Sequence, residues 1–155
     1  METVLRSAKG TVIISPERAT VLIGERINPT GRKRLAAALK SNNLAPVKKE
    51  AMAQVEAGAD VLDINVGVKG IDEVDLLSKA VRLVMETVDV PVAIDTSDAQ
   101  ALARALEAYR ELAPEGKPLV NSVNGEERRL AEVLPLVNLS ISAPAPTVPT
   151  ISTHG

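Results

Sequence analysis

Six carboxylate and amide side chains recur where the apolar runs of this sequence end. Glu25 and Asn28 follow Val21-Leu22-Ile23-Gly24, Asp63 and Asn65 lie within residues 60–66, Asp95 closes residues 91–95, and Asn121 closes residues 118–121. A charged or amide group inside a strand covered on both faces needs a reason, because its burial costs free energy unless it is paired. Three carboxylates and three amides suit a neutral heterocycle with several N–H donors and ring acceptors. They suit phosphate poorly, since the set is negative and holds no Lys, and neither GxxxxGK[ST] nor GxGxxG occurs. Each residue also has a structural reading: Asp63 as a turn former or cap, Asn28 before Pro29 as a turn former, Asp98 and Asn124 as helix caps. Arg26 reads as an ion-pair partner for Glu25 or Asp63. The same chemistry at four successive strand ends favours a site.

The elements that must position these groups alternate along the chain. Residues 11–15 and 20–24, flanking Ser15-Pro16-Glu17-Arg18, predict a short hairpin. After Pro29-Thr30-Gly31, residues 32–40 have helical composition, and a second helix follows Pro46 with Val47, Ala51 and Val55 at helical spacing and Gly58 as its stop. Strands are predicted at 60–66, 91–95 and 118–121. Helices follow them, opened by Asp72 with Leu77, Val81, Val84 and Val88, by Ser97 or Asp98 with Leu102, Leu106 and Tyr109, and by an Asn124/Glu127 capping box with Leu130, Val133, Leu134 and Val137. Strand and helix alternating four times predict a parallel sheet with right-handed crossovers. Alternation places Asp63 and Asn65 on one face, opposite Leu62 and Ile64, and Asp95 opposite Val92 and Ile94. If the apolar face packs under helices, the polar groups gather at the carboxyl edge, where α/β proteins bind ligands.

Composition narrows the chemistry further. The chain has 155 residues, 18 basic and 20 acidic side chains, no Cys, one His (His154) and one aromatic residue, Tyr109. Without Cys there is no disulfide frame, thiolate metal site or cysteine nucleophile, and no metal site is expected. A His at the penultimate position leaves the folded body without imidazole for a relay. Near-neutral charge and a single Tyr exclude a nucleic-acid surface of the usual kind. No apolar run approaches the roughly 20 residues of a spanning helix, and no secretory leader is evident, so a cytoplasmic protein is expected. Residues 138–155 hold no charged side chain and carry Pro144, Pro146 and Pro149, which predicts an irregular tail after a domain of residues 1–137.

Ile23-Gly24-Glu25-Arg26-Ile27-Asn28-Pro29-Thr30-Gly31, Leu62-Asp63-Ile64-Asn65-Val66-Gly67, Ile94-Asp95-Thr96-Ser97 and Val120-Asn121-Ser122-Val123-Asn124 resemble, in order, the pterin-binding methyltransferase family. This family includes the folate domain of cobalamin-dependent methionine synthase and the methyltetrahydrofolate–corrinoid protein methyltransferases. The resemblance implies an α/β fold, a TIM (β/α)8 barrel of which this chain supplies the N-terminal half, four βα units preceded by a short β-hairpin. It implies 5-methyltetrahydrofolate as methyl donor, with the pterin held by Glu25, Asn28, Asn65, Asp95 and Asn121; no catalytic residue is assigned. Asp63 would orient Arg26 or the ligand-contacting groups. Methyl transfer from a tertiary amine to a corrinoid needs neither His nor Cys, which agrees with the composition.

The DxHxxG signature of a corrinoid-holding protein is absent, so cobalamin would arrive on a separate corrinoid protein or domain. The barrel needs roughly 250 residues. Four strands therefore predict an interrupted or partial chain without full activity, whose open sheet edges would pair with a missing half or another copy. Two alternatives stand beside this reading: an enzyme of dihydropteroate synthase type, and a non-catalytic half-barrel.

Overall fold

The computed structural model describes residues 1–121 and 127–137. Short apolar runs become strands and the segments between them become helices: β1 (Thr3–Arg6), β2 (Thr11–Ile14), β3 (Ile23–Ile27), α1 (Lys33–Lys40), α2 (Ala45–Glu56), β4 (Val61–Ile64), α3 (Glu73–Thr87), β5 (Val92–Asp95), α4 (Ala99–Leu112), β6 (Leu119–Asn121) and α5 (Glu127–Val137). Local chemistry sets the boundaries. Pro46 opens the first turn of α2, where its missing N–H costs nothing. Gly58, at φ +99°, turns the chain out of α2. Asp72 caps α3 by accepting from Asp75 N at 3.1 Å. Asp98, not Ser97, caps α4 by accepting from Gln100 N and Ala101 N at 2.7 and 3.1 Å.

Strands β3-β4-β5-β6 form one parallel sheet in sequence order, the arrangement of half an eight-stranded TIM barrel. Leu62, Ile64, Val92 and Ile94 are fully buried against Leu77, Val81 and Val84 of α3 and Leu102, Leu106 and Tyr109 of α4. Each such side chain contributes about 1.5–3 kcal/mol when removed from water. The expected stripe holds in α3 as far as Val84; Val88 is the residue that ends the helix. In α5, Val133 packs into the core with Leu136, three residues on, against it, while Leu134 on another face of the helix is 46 % exposed. The capping box at Asn124 and the tail 138–155 lie outside the described residues. Among the described residues, the outer edges of β3 and β6 carry no further strand.

The hairpin exists but not where the turn signal predicts it. β1 pairs antiparallel with β2, Thr3 opposite Ile14 and Arg6 opposite Thr11, and residues 20–24 lead instead into the first barrel strand. Ser15-Pro16-Glu17-Arg18 does make a turn, with Arg18 N donating to Ser15 O at 3.2 Å, but nothing pairs across it. Docking decides the outcome. The Ser7 hydroxyl donates to Asp89 O at 2.5 Å, and a Cβ on Gly10 would lie 2.5 Å from the same oxygen, so only glycine lets this turn approach. Arg6 exchanges backbone hydrogen bonds of 2.9 and 2.8 Å with Lys117. Leu5 then closes the amino end of the sheet against Val61 and Ala93, with Leu119 beside them.

Candidate functional site

The inner face of the sheet changes character toward its carboxyl end. Asp63, Ala93 and Leu119 lie in one row across β4, β5 and β6, and Asp95 and Asn121 lie in the next. Asn65, the first residue past Ile64, joins that second row. Its amide donates to Asp95 Oδ2 at 2.9 Å while its own Oδ1 accepts from Gly67 N at 2.9 Å. Asn121 Nδ2 donates to Asp63 Oδ1 at 3.1 Å. The three consecutive strands are therefore stitched by two side-chain hydrogen bonds, each between a carboxylate and an amide. Asp95 keeps one carboxylate oxygen and Asn121 its carbonyl oxygen outside these two bonds.

Asp63 is only 4 % exposed and is neither turn former nor cap. Burial, and then the charges of Asp95 and Glu25, push its carboxyl above the usual range, against the opposing hydrogen bond from Asn121. A folded state that favours the proton loses stability as pH climbs from the ordinary aspartate range through the raised value, and the cost is fully present above it. Asp63→Asn keeps an oxygen for Asn121 and removes the charge. Thermal melts should show the variant more stable than the parent by about 1 kcal/mol at neutral pH, with the difference vanishing in acid. An unchanged or lower stability at neutral pH would contradict the repulsion.

The first strand reaches the site through a bulge. Gly24 pairs with Leu62 and Ile27 with Ile64, so Glu25 and Arg26 together oppose the single residue Asp63. Gln54 of α2 fills the gap in the ladder. Its Oε1 accepts from Arg26 N at 2.8 Å, and its Nε2 donates to Glu50 O at 3.2 Å. Leaving that N–H unpaired would cost about 1–3 kcal/mol. A Cβ on Gly24 would lie 2.5 Å from Gln54 Oε1, which explains the glycine before Glu25.

Arg26 pairs with neither Glu25 nor Asp63: its Nε donates to Glu50 Oε2 at 3.0 Å, because the bulge turns it toward α2. Arg32 joins the same carboxylate and also donates to Arg26 O. Burial pushes Glu50 up, but the hydrogen bonds and charges of Arg32 and Arg26 outweigh it and hold the carboxyl below its ordinary value.

Asn28 accepts from Thr30 N at 2.9 Å, shaping the turn at Pro29-Thr30-Gly31 in which Gly31 has φ +70°. Glu25 is exposed and lies close enough to Asp63 to raise its pKa. Of the residues singled out from sequence, Asn65, Asp95 and Asn121, with Asp63 behind them, thus form one cluster, Glu25 faces it, and Asn28 serves its rim.

Sequence reasoning missed Gln54, Glu50 and the role of Thr96. Thr96 Oγ1 donates to Glu73 Oε1 at 2.5 Å and accepts from Asp98 N at 3.0 Å, while Thr96 N donates to Asn121 O at 3.0 Å. The buried Thr96 therefore ties the β4–α3 and β5–α4 segments together through its hydroxyl and joins them to β6 through its backbone N–H. A signal for Gln54 was present, since it falls three residues after Ala51 on the stripe that α2 buries.

A half-barrel sheet under helices, with a polar row at its carboxyl edge and its amino end closed by a hairpin, is the α/β architecture in which ligand sites open at the strand C-termini. The model of the family described as pterin binding enzyme matches residues 24–142, and the chain belongs to that family. A methylcorrinoid:tetrahydrofolate methyltransferase of Eubacterium limosum is 32 % identical over 120 residues, covering 75 % of this chain and 41 % of that protein. The chain thus spans about two-fifths of the length of this curated relative. Among the described residues no helix is long and apolar enough to cross a membrane, and no group of three or more His, Cys, Asp or Glu is placed to hold a metal ion.

Proposed function

We propose that this chain supplies the pterin-gripping half of a methyltransferase that works between tetrahydrofolate and a corrinoid protein. The observation that carries the reading is the row Asn65–Asp95–Asn121, braced by Asp63. The amino-pyrimidine edge of a pterin offers an N–H and an amino group side by side, which a carboxylate can accept together. Asp95 fills that role, held in place by Asn65. Asn121 turns its carbonyl oxygen to another ring donor while Asp63 fixes its amide. Glu25 and Asn28 complete the contacts from the first strand. The negative cluster disfavours a diphosphate, which counts against the dihydropteroate synthase alternative.

A corrinoid cofactor, carried on a separate protein or domain, would supply the methyl-exchanging metal centre; this chain offers no His within its described residues to ligate one. The name of the Eubacterium limosum relative writes the transfer from methylcorrinoid to tetrahydrofolate, the reverse of the direction expected from sequence. A reversible displacement passes one transition state in both directions, so the same pterin grip serves either. The residues here bind and orient the ring; none is assigned the proton of the reacting nitrogen. Calorimetric titration of the 155-residue chain tests the reading. Tetrahydrofolate and its 5-methyl form should bind, and a dihydropterin diphosphate should not. Preference for the diphosphate would favour the dihydropteroate synthase type, and binding of neither would overturn the proposal.

A further inference from the structure

Glu73 is the first residue of α3, where an acid ordinarily serves its own helix by facing the positive end of the dipole. That service is already supplied. Asp72 caps α3 by accepting from Asp75 N, and Asp75 adds another acid to the first turn. Glu73 instead reaches across to the end of β5 and accepts from Thr96 Oγ1 at 2.5 Å, 23 residues away in sequence. The carboxylate is half-buried and Thr96 is only 4 % exposed.

A hydroxyl carries one proton, so the direction in which it donates fixes where its lone pairs point. With that proton committed to Glu73, Thr96 Oγ1 turns a lone pair to Asp98 N at 3.0 Å and closes the turn that follows β5. Thr96 N donates to Asn121 O at 3.0 Å. Asp95 immediately precedes this turn, and Asn65 Nδ2 holds its Oδ2 from the β4–α3 side. Asn65 is itself fixed by Gly67 N. A Cβ on Gly67 would lie 3.3 Å from Asn65 Oδ1 and 3.8 Å from Glu73 Oε2, so the Glu73 carboxylate sits beside the same loop. Two links, Asn65 to Asp95 and Glu73 to Thr96, therefore join the β4–α3 segment to consecutive residues at the end of β5. One link alone would leave that end free to pivot about it; a second on the next residue removes the freedom.

Building on the pterin reading, we infer that Glu73 is a positioning residue: through Thr96 it holds the Asp95 carboxylate in the direction that accepts an N–H and an amino group together, and so sets the preference of the site for an amino-pyrimidine over a dioxo-pyrimidine ring. A two-point match of this kind depends on direction as well as charge, and small misplacements of a contacting group are costly. A dioxo ring puts an oxygen where the amino group stood and offers Asp95 one donor in place of two. A carboxylate free to swing keeps its charge but discriminates less between the two rings.

The test titrates the 155-residue chain with 6-methyltetrahydropterin and with the corresponding tetrahydrolumazine, in which a 2-oxo group replaces the 2-amino group. The parent should prefer the pterin by about 100-fold, because a mismatched charged acceptor is costly. Glu73→Ala should lose about tenfold of that preference, mainly through weaker pterin binding, while its melting temperature stays close to the parent's. Glu73→Gln keeps an acceptor for Thr96 and removes only the charge, so it should keep the preference to within about threefold. Adding Glu73→Ala to Thr96→Val should cost no further preference, since both changes break one link. Should Thr96→Val not fold, the comparison of Glu73→Ala with Glu73→Gln still decides.

Full preference in Glu73→Ala overturns the inference and leaves the pterin site standing. Equal losses in Glu73→Ala and Glu73→Gln show that the charge matters rather than the link, and overturn it too. A further loss in the double variant does the same, because Glu73 then acts independently of Thr96. Equal weakening of both ligands with a lowered melting temperature makes Glu73 a structural brace, which also overturns the inference. A parent that binds neither compound overturns the pterin reading, and the inference with it.

Discussion

Asp95→Ala should weaken binding of 5-methyltetrahydrofolate by about 100-fold while the melting temperature at neutral pH holds or rises. The binding loss follows from removing a charged, two-oxygen acceptor from a partly enclosed site, where truncating such a partner is costly. The stability follows from the surroundings. Asp95 is one of two charges that push Asp63 toward its protonated form, so its removal relieves repulsion. Asn65 loses an acceptor at 2.9 Å, but it is half-exposed and water can replace the bond. Opposite signs for affinity and stability mark a residue kept for its ligand. Asp95→Asn retains an acceptor for Asn65 but loses the charge and one acceptor, and should fall between parent and alanine variant. A simultaneous collapse of melting temperature and affinity in Asp95→Ala would instead make the residue a structural brace.

Tyr109→Ala should have the largest effect on stability, about 3–5 kcal/mol, comparable to other truncations of buried aromatic side chains. Set against the roughly 5–15 kcal/mol of a typical domain, that loss should leave a substantial unfolded fraction in urea melts under mild conditions. Tyr109 is fully buried on α4 against the main core, and its hydroxyl donates to Arg6 O in the hairpin. Burial holds the phenol well above its ordinary pKa, so it stays a donor at all working pH values. Arg6 O also accepts from Lys117 N at 2.8 Å, so Tyr109→Phe leaves the carbonyl paired. That milder variant should lose only about 0.5–1.5 kcal/mol. Similar losses from both variants would show that the hydroxyl, rather than the ring, carries the stabilisation.

The sheet was legible because its strands are apolar runs broken by polar ends, and because caps such as Asp72 and Asp98 carry their own hydrogen-bond chemistry. Asn65, Asp95 and Asn121 were legible for the same reason: alternation alone puts them on the face away from Leu62, Ile64 and Ile94. What could not be read depends on contacts distant in sequence. Thr3–Arg6 is four residues with a turn lacking Pro or Asn-Gly, and it becomes a strand because Ser7, Gly10 and Arg6 find partners at Asp89 and Lys117. Ser15-Pro16-Glu17-Arg18 has better turn residues and forms a turn, yet no strand pairs across it. Arg26 reads as a partner for Glu25 or Asp63 from opposite charge and closeness in sequence or strand, which carry no sign of the bulge. Gln54, 28 residues away, decides otherwise.

The bulge at Glu25-Arg26 also makes the first strand a matter of counting. Four residues from Gly24 to Ile27 span what three span on β4, so Gly24 and Ile27 both lie on the helix side despite their odd separation. Were those four residues to alternate regularly, Ile27 would turn into the mouth and Asn28 beneath the helices; the extra residue of the bulge is what keeps Ile27 against the core. A single-codon deletion there keeps Ile27 opposite Ile64 but removes the bulge, and with it either the Glu25 carboxylate or the Arg26 N–H that Gln54 accepts. For anyone redesigning this rim or grafting it onto another barrel, the length of the segment is as much a part of the site as its side chains.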